Sequence, residues 1–470
     1  SDGTVIGKKA GEATITAILA NYPDQKLNIQ VTVYEVSADE LRARIEFANI
    51  KKQLEEMIPN EVDNDITLYS TIGSRFLDWE TSNSAVIDKF GNVYRQDEDV
   101  LVTLKATMQY KDIVDVFEKT VTVKKRLPMR DLSQTKVSMA YSTVPNIKVE
   151  HLEKLDVVNY SFGTISSDYK LIVSNTISNL IRKAHNYGVR VVVAVGGGTS
   201  DATKTYQDMA KSKETRKVFI DSIISALRTY NFDGIDYDWE YPTQSEKELF
   251  TELVKETREA LDKYKPGLLL TAAFGAAAGR VNVNYNVREL NKYLDYFNMM
   301  TYDYNAWSTP FDTRHHTNLY TSQIASRAYS ADSAIKAFIA GGADPKKIVM
   351  GVAAYGRKAT NVQATSATIN GINGLSDNAK LSIKLDEIYR IYYENPNTKY
   401  VRYWDDDAKA AWLFDGETFI SYDDEESIKE KCKYTLENNL GGVMYWEYNS
   451  DTKGHVIEFL HKYLNKTLKA

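Results

Sequence analysis

The chain has 470 residues, of which 43% are hydrophobic and 26% charged, with a single cysteine. This composition is that of an ordinary globular protein and excludes extended disorder, collagen and coiled coil. The formal net charge of −6 argues against nucleic acid as a partner, because binding through phosphates needs a basic surface. No apolar run approaches the ~18–20 residues that span a bilayer. Cys432 alone can form neither an intrachain disulfide nor a CxxC zinc pair.

The first 130 residues predict small β-rich modules. Ala13–Ala17 and Asn28–Val33 alternate β-branched and polar residues about a turn, which predicts a hairpin. A charged helix is predicted from Ala38 to about Met57, after which strands return at Val100–Met108 and Val114–Val123. Short alternating strands with a turn about every ten residues indicate a β-sandwich.

From about Lys136 the pattern changes to strand and helix in alternation. Near-continuously apolar strands with helices between them indicate a parallel sheet covered on its faces. Eight such units over ~335 residues favour a (β/α)₈ TIM barrel over an open doubly wound sheet. The predicted strands are Val137–Tyr141, Val157–Phe162, Val191–Val195, Gly234–Tyr237, Leu268–Phe274, Tyr296–Thr301, Ile348–Ala353 and Val443–Trp446.

The most informative segment is Asp233–Pro242, DGIDYDWEYP. Residues two apart on a strand share a face at a spacing of ~6.5–7 Å, so Asp236, Asp238 and Glu240 project together. The residues between them, including Trp239, face the helix layer. Clustering and burial must raise at least one carboxyl pKa and leave a protonated acid near neutral pH. Glu240 is last in the row and falls at the carboxyl end of the barrel, where such enzymes keep their sites.

Other interpretations of this segment fit less well. A solvated edge strand would not alternate bulky apolar residues so strictly on its other face. In an EF-hand Gly234 is misplaced, and no glutamate closes the twelve-residue frame. A magnesium site for phosphoryl transfer would be expected beside a lysine loop, but Gly196–Gly198 matches neither GxGxxG nor the P-loop.

DGIDYDWEYP fits the DxxDxDxE signature of glycoside hydrolase family 18, the family of chitinases and chitinase-like proteins. The resemblance extends over roughly Lys136–Tyr463. Further segments similar to family motifs are Val193–Gly197 (VAVGG, with Ala194 where serine is usual), Met300–Asp303 (MTYD), Met350–Arg357 (MGVAAYGR) and Gly441–Trp446 (GGVMYW).

The amino-terminal segments resemble bacterial immunoglobulin-like modules. We expect a partial module at residues 1–36, so that the chain starts inside a domain. A second sandwich with a leading helix is expected at 37–128, and the catalytic barrel at 129–470. Trp79 is expected to be buried in the second sandwich rather than to stack on a sugar.

The resemblance implies catalytic roles for four residues. Glu240 is expected to protonate the glycosidic oxygen and then to activate water. The substrate's own 2-acetamido oxygen attacks C1, so no enzyme nucleophile is needed. Asp238 is expected to hold the acetamido N–H and Asp236 to share a proton with Asp238. The Tyr302 hydroxyl would bind the acetamido carbonyl, and Asp233, at the start of the motif, is expected to be supporting.

The resemblance also implies a substrate-binding set around these acids. Trp446 is expected to form the floor under the −1 sugar. The other candidates are Asp303 and Met300 in the same pocket, Tyr141 at the end of the first strand, Trp307 as a stacking platform, and Arg357 as a substrate ligand or one half of an ion pair.

We therefore expect a retaining endo-hydrolase of β-1,4-linked N-acetylglucosamine (GlcNAc) chains, without cofactor or metal. The alternatives are an endo-β-N-acetylglucosaminidase acting on the chitobiose core of N-glycans and an inactive chitinase-like lectin. The 46 residues between Arg357 and Trp404 are tight for the α+β insertion that deepens the cleft in many chitinases, which predicts a shallower groove. The expected partner is a GlcNAc-containing oligosaccharide, polysaccharide or glycoprotein glycan, bound by a monomer. From the resemblance we expect secretion or display on a bacterial surface.

Overall fold

The computed structural model describes residues 9–19, 22–33, 37–304, 311–325, 329–376 and 381–464. Its chain divides into two compact units, Ser1–Lys125 and Arg126–Ala470. None of the helices within the described ranges is long and apolar enough to cross a membrane.

Within its described residues, the first unit contains a two-stranded hairpin, a five-stranded sheet and one helix. The sheet has the order β3-β7-β6-β5-β4, and only its β3–β7 pair is parallel. The elements are β1 (Gly11–Leu19), β2 (Tyr22–Val33), α1 (Ala38–Met57), β3 (Glu61–Val62), β4 (Thr71–Ile72), β5 (Arg75–Thr81), β6 (Val100–Tyr110) and β7 (Ile113–Val123).

Helix α1 covers one face of this sheet. It begins at Ser37, whose hydroxyl accepts the Glu40 backbone N–H at 3.0 Å, an ordinary N-terminal cap. Its buried face brings Phe47 and Leu54 into the same core as Trp79. The Trp79 indole donates to a backbone carbonyl at 2.9 Å and the side chain is buried, so this tryptophan belongs to the core of the unit, as expected.

The second unit alternates strands and helices. Its strands are β8 (Val137–Ser142), β9 (Val157–Ile165), β10 (Leu171–Ile172), β11 (Arg190–Gly196), β12 (Gly234–Asp238), β13 (Leu269–Gly275), β14 (Tyr296–Met300), β15 (Phe311–Asp312), β16 (Ile348–Ala353), β17 (Tyr355–Ala359), β18 (Leu375–Ser376), β19 (Leu381–Lys384), β20 (Val401–Asp405), β21 (Ala410–Phe414), β22 (Phe419–Tyr422) and β23 (Gly442–Trp446). Its α-helices are α2 (Val149–Leu152), α3 (Ile177–Asn186), α4 (Ser200–Ala210), α5 (Lys213–Tyr230), α6 (Lys247–Tyr264), α7 (Val281–Asn284), α8 (Val287–Tyr293), α9 (Ala331–Gly341), α10 (Leu385–Ile388), α11 (Glu425–Glu437) and α12 (His455–Tyr463).

Eight of these strands close into a parallel barrel. The order is β9-β11-β12-β13-β14-β16-β23-β8, and β8 pairs again with β9. These are the eight strands that the sequence predicts, and the prediction of a TIM-type barrel is confirmed. Side chains alternate between two cores: Val192, Met139 and Met444 fill the interior, whereas Ile235 and Tyr237 pack among the helices.

A second, antiparallel sheet is inserted between β16 and β23. Its order is β19-β17-β22-β21-β20, and it occupies residues 355–422 together with α10. The expectation that the chain is too short here for such an insertion was therefore wrong. The insertion begins with the YGR segment, which forms β17 itself, and ends after β22, so the stretch from Arg357 to Trp404 is only part of it.

Candidate active site

One cavity of about 800 Å³ opens at the carboxyl ends of the barrel strands. Parallel strands bring the residues that follow them to this one edge, which is where TIM barrels keep their sites. The residues that line it include Tyr141, Phe162, Gly198, Asp238, Glu240, Tyr241, Tyr285, Met300, Tyr302, Asp303, Tyr329, Tyr355, Arg357, Ser382, Trp446 and Glu447.

Asp236 lies beneath the cavity and is completely buried. Its carboxylate accepts hydrogen bonds from Tyr141 Oη (2.9 Å), Thr271 Oγ1 (2.6 Å) and Asn298 Nδ2 (3.0 Å). Burial raises the pKa of Asp236 to about 6 although these three donors act to lower it. The inner carboxyl of the row therefore titrates close to neutral pH.

Asp238 lies between Asp236 and Glu240. Its side chain is buried, and its Oδ1 atom has no hydrogen-bond partner among the described residues. Burial raises the pKa of Asp238 well above its ordinary value, and the charges of Glu240 and Asp236 raise it further. A buried carboxyl oxygen without a hydrogen-bond donor is costly, and a ligand that supplies an N–H or O–H group removes this cost.

Glu240 is the outermost acid of the row. Burial raises its pKa, and the negative charge of Asp303 acts in the same direction. A Cβ atom at Gly198 would lie 3.2 Å from both carboxyl oxygens of Glu240, so a glycine here leaves the acid its space. Burial and the mutual repulsion of Asp238 and Glu240 favour the protonated form of this pair, and a general acid must hold a proton.

Asp303 pairs with Arg357 of the inserted sheet. Arg357 Nε lies 2.7 Å from Asp303 Oδ1, and Nη2 lies 2.7 Å from Oδ2, a bidentate arrangement. Burial alone would raise the pKa of Asp303, but bonds to His316 and Arg357 hold it well below its ordinary value. Of the two roles expected for Arg357, the structure gives it the ion pair, while its side chain still reaches the cavity.

Trp446 lines the cavity and is held by two aromatic neighbours. Phe162 stacks on it with ring centroids 5.6 Å apart, and the Tyr141 ring lies 5.9 Å away at a tilt. Met300 belongs to the same cluster. The indole is partly exposed, which leaves a flat apolar surface that a sugar ring can cover.

Two of the expected residues do not join this group. Asp233 precedes β12 and binds His185 Nε2 (2.8 Å) and the Val191 backbone N–H (2.8 Å), which places it at the amino end of the strands. Trp307 lies outside the described residues.

Several residues of the site were not among the functional residues expected from the sequence. Thr271 and Asn298 are polar side chains within otherwise apolar strands, and this mismatch is a signal that identifies them. His316 and Tyr355 reach Asp303 and Tyr302 from distant segments, and their positions follow only from the tertiary fold. Tyr241, 41% exposed, follows Glu240 directly and lines the cavity.

Outside the cavity, one group of described residues has the chemistry of a cation site. Asp386, Asp451 and His455 each place one ligand atom within 4.8 Å of the others. Both Asp451 oxygens already accept backbone N–H groups, from His455 (3.0 Å) and Val456 (2.7 Å). Asp451 therefore accepts the first two backbone N–H groups of α12, which have no partner within the helix.

Two family models match the chain. The model described as glycosyl hydrolases family 18 matches residues 133–451. The model described as atrophied bacterial Ig domain matches residues 48–126.

The chain is similar to three proteins that are named as glycan-cleaving enzymes. Chitotriosidase-1 of Mus musculus is 32% identical over 308 residues, which are 62% of this chain and 64% of the mouse protein, just under two thirds of its length. A family 18 N-acetylglucosaminidase structure from Paenibacillus barengoltzii matches with a TM-score of 0.62 and 32% identity, over 70% of this chain and 99% of that one. The chitinase ChiW of Paenibacillus sp. str. FPU-7, described as a cell-surface-expressed multi-modular enzyme, matches with a TM-score of 0.60 and 27% identity, over 80% of this chain and 47% of that one.

Proposed function

The chain belongs to glycosyl hydrolase family 18. From this premise we propose that the protein is an endo-hydrolase, which cleaves β-1,4 bonds in the interior of a GlcNAc polymer. Hydrolysis proceeds with retention of configuration and with assistance from the substrate's acetamido group. The bonds it acts on are glycosidic, as in the chitinases it resembles. The products are shorter oligosaccharides whose new reducing ends begin as the β-anomer.

The observation that carries this proposal is the Oδ1 atom of Asp238, two residues before Glu240, which has no hydrogen-bond partner among the described residues. A sugar bound beside the acids with its 2-acetamido N–H toward this oxygen supplies the missing donor. The same contact aims the acetamido oxygen at C1 of that sugar. An ordinary sugar with a 2-hydroxyl group would leave C1 without this internal nucleophile.

The remaining steps follow from the positions of the other acids. Glu240 gives its proton to the glycosidic oxygen as the acetamido oxygen forms a bond to C1, and the leaving sugar departs with that proton. Glu240 then takes a proton from water, which attacks C1 and reopens the oxazolinium ring. Asp236 accepts hydrogen bonds from three donors and lies next to Asp238 in the row of acids. During these steps the two carboxyls share a proton, which stabilises Asp238 in either protonation state.

We expect Tyr302→Phe to lower kcat roughly 10- to 100-fold, because the hydroxyl would bind an acetamido oxygen that develops charge. KM should change less, since Trp446 still supports the sugar. The matched control is Tyr445→Phe, which removes a buried hydroxyl without a partner among the described residues on the outer side of β23. If the two variants turned over oligosaccharide equally fast, the Tyr302 hydroxyl would have no role in the reaction.

The pH dependence follows from the direction of the Glu240 pKa. Glu240 must be protonated in the first step, so kcat/KM falls as pH rises through its pKa, which burial and Asp303 raise above the ordinary 4.5. We therefore expect the alkaline limb of the profile to lie above pH 4.5. Steady-state rates measured from about pH 3 to about pH 10 test this. An alkaline limb at or below pH 4.5, the ordinary pKa of a glutamate, contradicts it.

The inserted sheet favours chitin-type chains over N-glycan cores. Tyr355 and Arg357 of β17 and Ser382 of β19 line the cavity, so this sheet forms one wall of the cleft. A walled cleft suits an unbranched chain better than a branched glycan. The wall that this sheet adds supports the chitin-type proposal over the N-glycan alternative.

The deciding experiment incubates the protein separately with chitin oligosaccharides and with an N-glycosylated protein. We expect cleavage of the oligosaccharides, with the β-anomer seen first by NMR. Release of glycans from the glycoprotein alone would support the N-glycan alternative. An α-anomer appearing first would exclude acetamido assistance, and binding without cleavage of either substrate would indicate a lectin.

Two of the comparisons bear on where the protein works. One structural relative is described as expressed at a bacterial cell surface, and the first unit matches a bacterial Ig model. We propose that this protein also works outside the cytoplasm, on a polymer too large to enter the cell. Detection of hydrolase activity on intact cells, compared with a lysate, tests this location.

A further inference from the structure

His316 lies directly behind Asp303, away from the cavity. Its side chain is fully buried, and its Nδ1 atom is 3.5 Å from the Asp303 backbone nitrogen and 3.6 Å from Asp303 Oδ1. The ring also contacts Tyr355, with centroids 5.2 Å apart. Its backbone is fixed as well, because the His316 N–H donates to Ser421 Oγ at 2.9 Å. His316 has no role in the proposed reaction steps and is not part of the DxxDxDxE motif.

Asp303 occupies a backbone conformation that needs support. Its φ angle is +60°, in the left-handed region that residues with a side chain rarely adopt. Arg357 fixes the two carboxylate oxygens from one side, and His316 contacts both the backbone and the carboxylate from the other. Tyr302 immediately precedes Asp303, so any rotation of the Asp303 backbone displaces the Tyr302 ring in the cavity.

We propose that His316 is a positioning residue for glycan hydrolysis: it holds Asp303 in its left-handed conformation and thereby sets Tyr302 and Arg357 against the cleft. The inference rests on the proposed function. Both neutral tautomers of the ring maintain the contact. With the proton on Nε2, Nδ1 accepts the Asp303 backbone N–H. With the proton on Nδ1, the ring N–H lies near Asp303 Oδ1 at 3.6 Å, where the attraction is electrostatic.

The charge of Asp303 extends this effect to Glu240. Asp303 is one of the two influences that raise the pKa of Glu240, so its placement bears on the proton that Glu240 delivers. The charged groups that face His316 are Asp303, Arg357 and Asp423, and burial lowers the pKa of His316 itself. The histidine is therefore neutral at neutral pH and acts through hydrogen bonds rather than through a charge.

Two amide substitutions separate positioning from packing. Asparagine places its amide near the Nδ1 position of histidine, whereas glutamine places it near Nε2. We expect His316→Asn to retain activity within about twofold and His316→Gln to lose about five- to tenfold in kcat, the effect of one misplaced hydrogen bond. In His316→Gln the alkaline limb of the pH profile should also move to lower pH, because a displaced Asp303 raises the pKa of Glu240 less.

The neighbouring His315 is the matched control. It is equally buried but uses Nε2, which lies 3.0 Å from Asp405 Oδ2, so here asparagine is the disruptive amide. We expect His315→Asn to lower thermal stability and to leave the pH profile of the folded enzyme unchanged. Equal kcat values and equal pH profiles for His316→Asn and His316→Gln would overturn the proposal.

A spectroscopic test does not depend on turnover. The chain has six histidines, so ¹⁵N-histidine labelling gives a spectrum that can be assigned by substitution. We expect Asp303→Asn to shift the ring-nitrogen resonances of His316 and to leave those of His315 in place. If the His316 resonances do not shift, the proposal is overturned even when the enzyme is active. If they shift in a protein that cleaves no GlcNAc glycan, the contact is established and only the proposed function is refuted.

Discussion

Replacing Glu240 with glutamine is expected to lower kcat for chitin-oligosaccharide hydrolysis by about 10²–10⁴-fold, the usual contribution of a general acid and base. Glutamine has nearly the same shape and fits beside Gly198, but it has no proton to give to the glycosidic oxygen. Asp238, Tyr302 and Trp446 are unchanged, so the variant should still bind oligosaccharide. Initial rates with a defined oligomer, together with binding by calorimetry, measure the two effects separately.

The control for this variant makes the same chemical change outside the site. Glu252 lies on helix α6 with its side chain exposed, and Glu252→Gln should turn over substrate at the wild-type rate. A Glu240→Gln enzyme that kept near-normal turnover would remove Glu240 from the reaction. Loss of oligosaccharide binding together with turnover would instead show that the substitution disturbs the cleft.

The barrel and its acid row could be predicted from the sequence because both depend on local periodicity. A strand residue faces inward or outward by its parity, so Asp236 and Asp238 had to lie on the face opposite Ile235 and Tyr237. The structure shows that division between the barrel interior and the helix layer. By the same alternation Asp233, an odd-numbered residue, lies on the opposite side from Asp236, Asp238 and Glu240. It also precedes the strand, whereas those three residues are near its end.

The inserted sheet and the contacts around Asp303 could not be predicted in this way. β17 pairs with β19 and β22, which follow it by about 25 and 60 residues (from the bounds Tyr355, Leu381 and Phe419), and no local period links such segments. Along the sequence, Arg357 follows Asp303 by 54 residues and His316 follows it by 13 residues. Which polar side chains meet at the cleft therefore depends on how the insertion docks on the barrel within this unit.

One buried ion pair anchors the segments behind the cleft. Lys431 of α11 and Asp423 are both fully buried, with Nζ 2.7 Å from Asp423 Oδ2. Lys431 also donates to Thr317 Oγ1 at 2.7 Å, one residue after His316. Asp423 Oδ2 accepts the Ala353 backbone N–H at 3.0 Å, at the end of β16. A barrel strand, a helix and the loop that carries His316 thus meet at one carboxylate.

Lys431→Met is therefore expected to destabilise the barrel unit by about 3–5 kcal/mol, the cost of leaving one partner of a buried pair without its counter-charge. Methionine fills most of the space, so the loss is electrostatic rather than a cavity effect. Lys429→Met, on the exposed face of the same helix, should stay within about 0.5 kcal/mol of the wild type. The double variant Lys431→Met with Asp423→Asn should recover much of the stability, because it removes the unpaired charge. Calorimetric unfolding of the four proteins measures these differences, and a Lys431→Met protein as stable as Lys429→Met would show that the pair contributes nothing to holding these segments together.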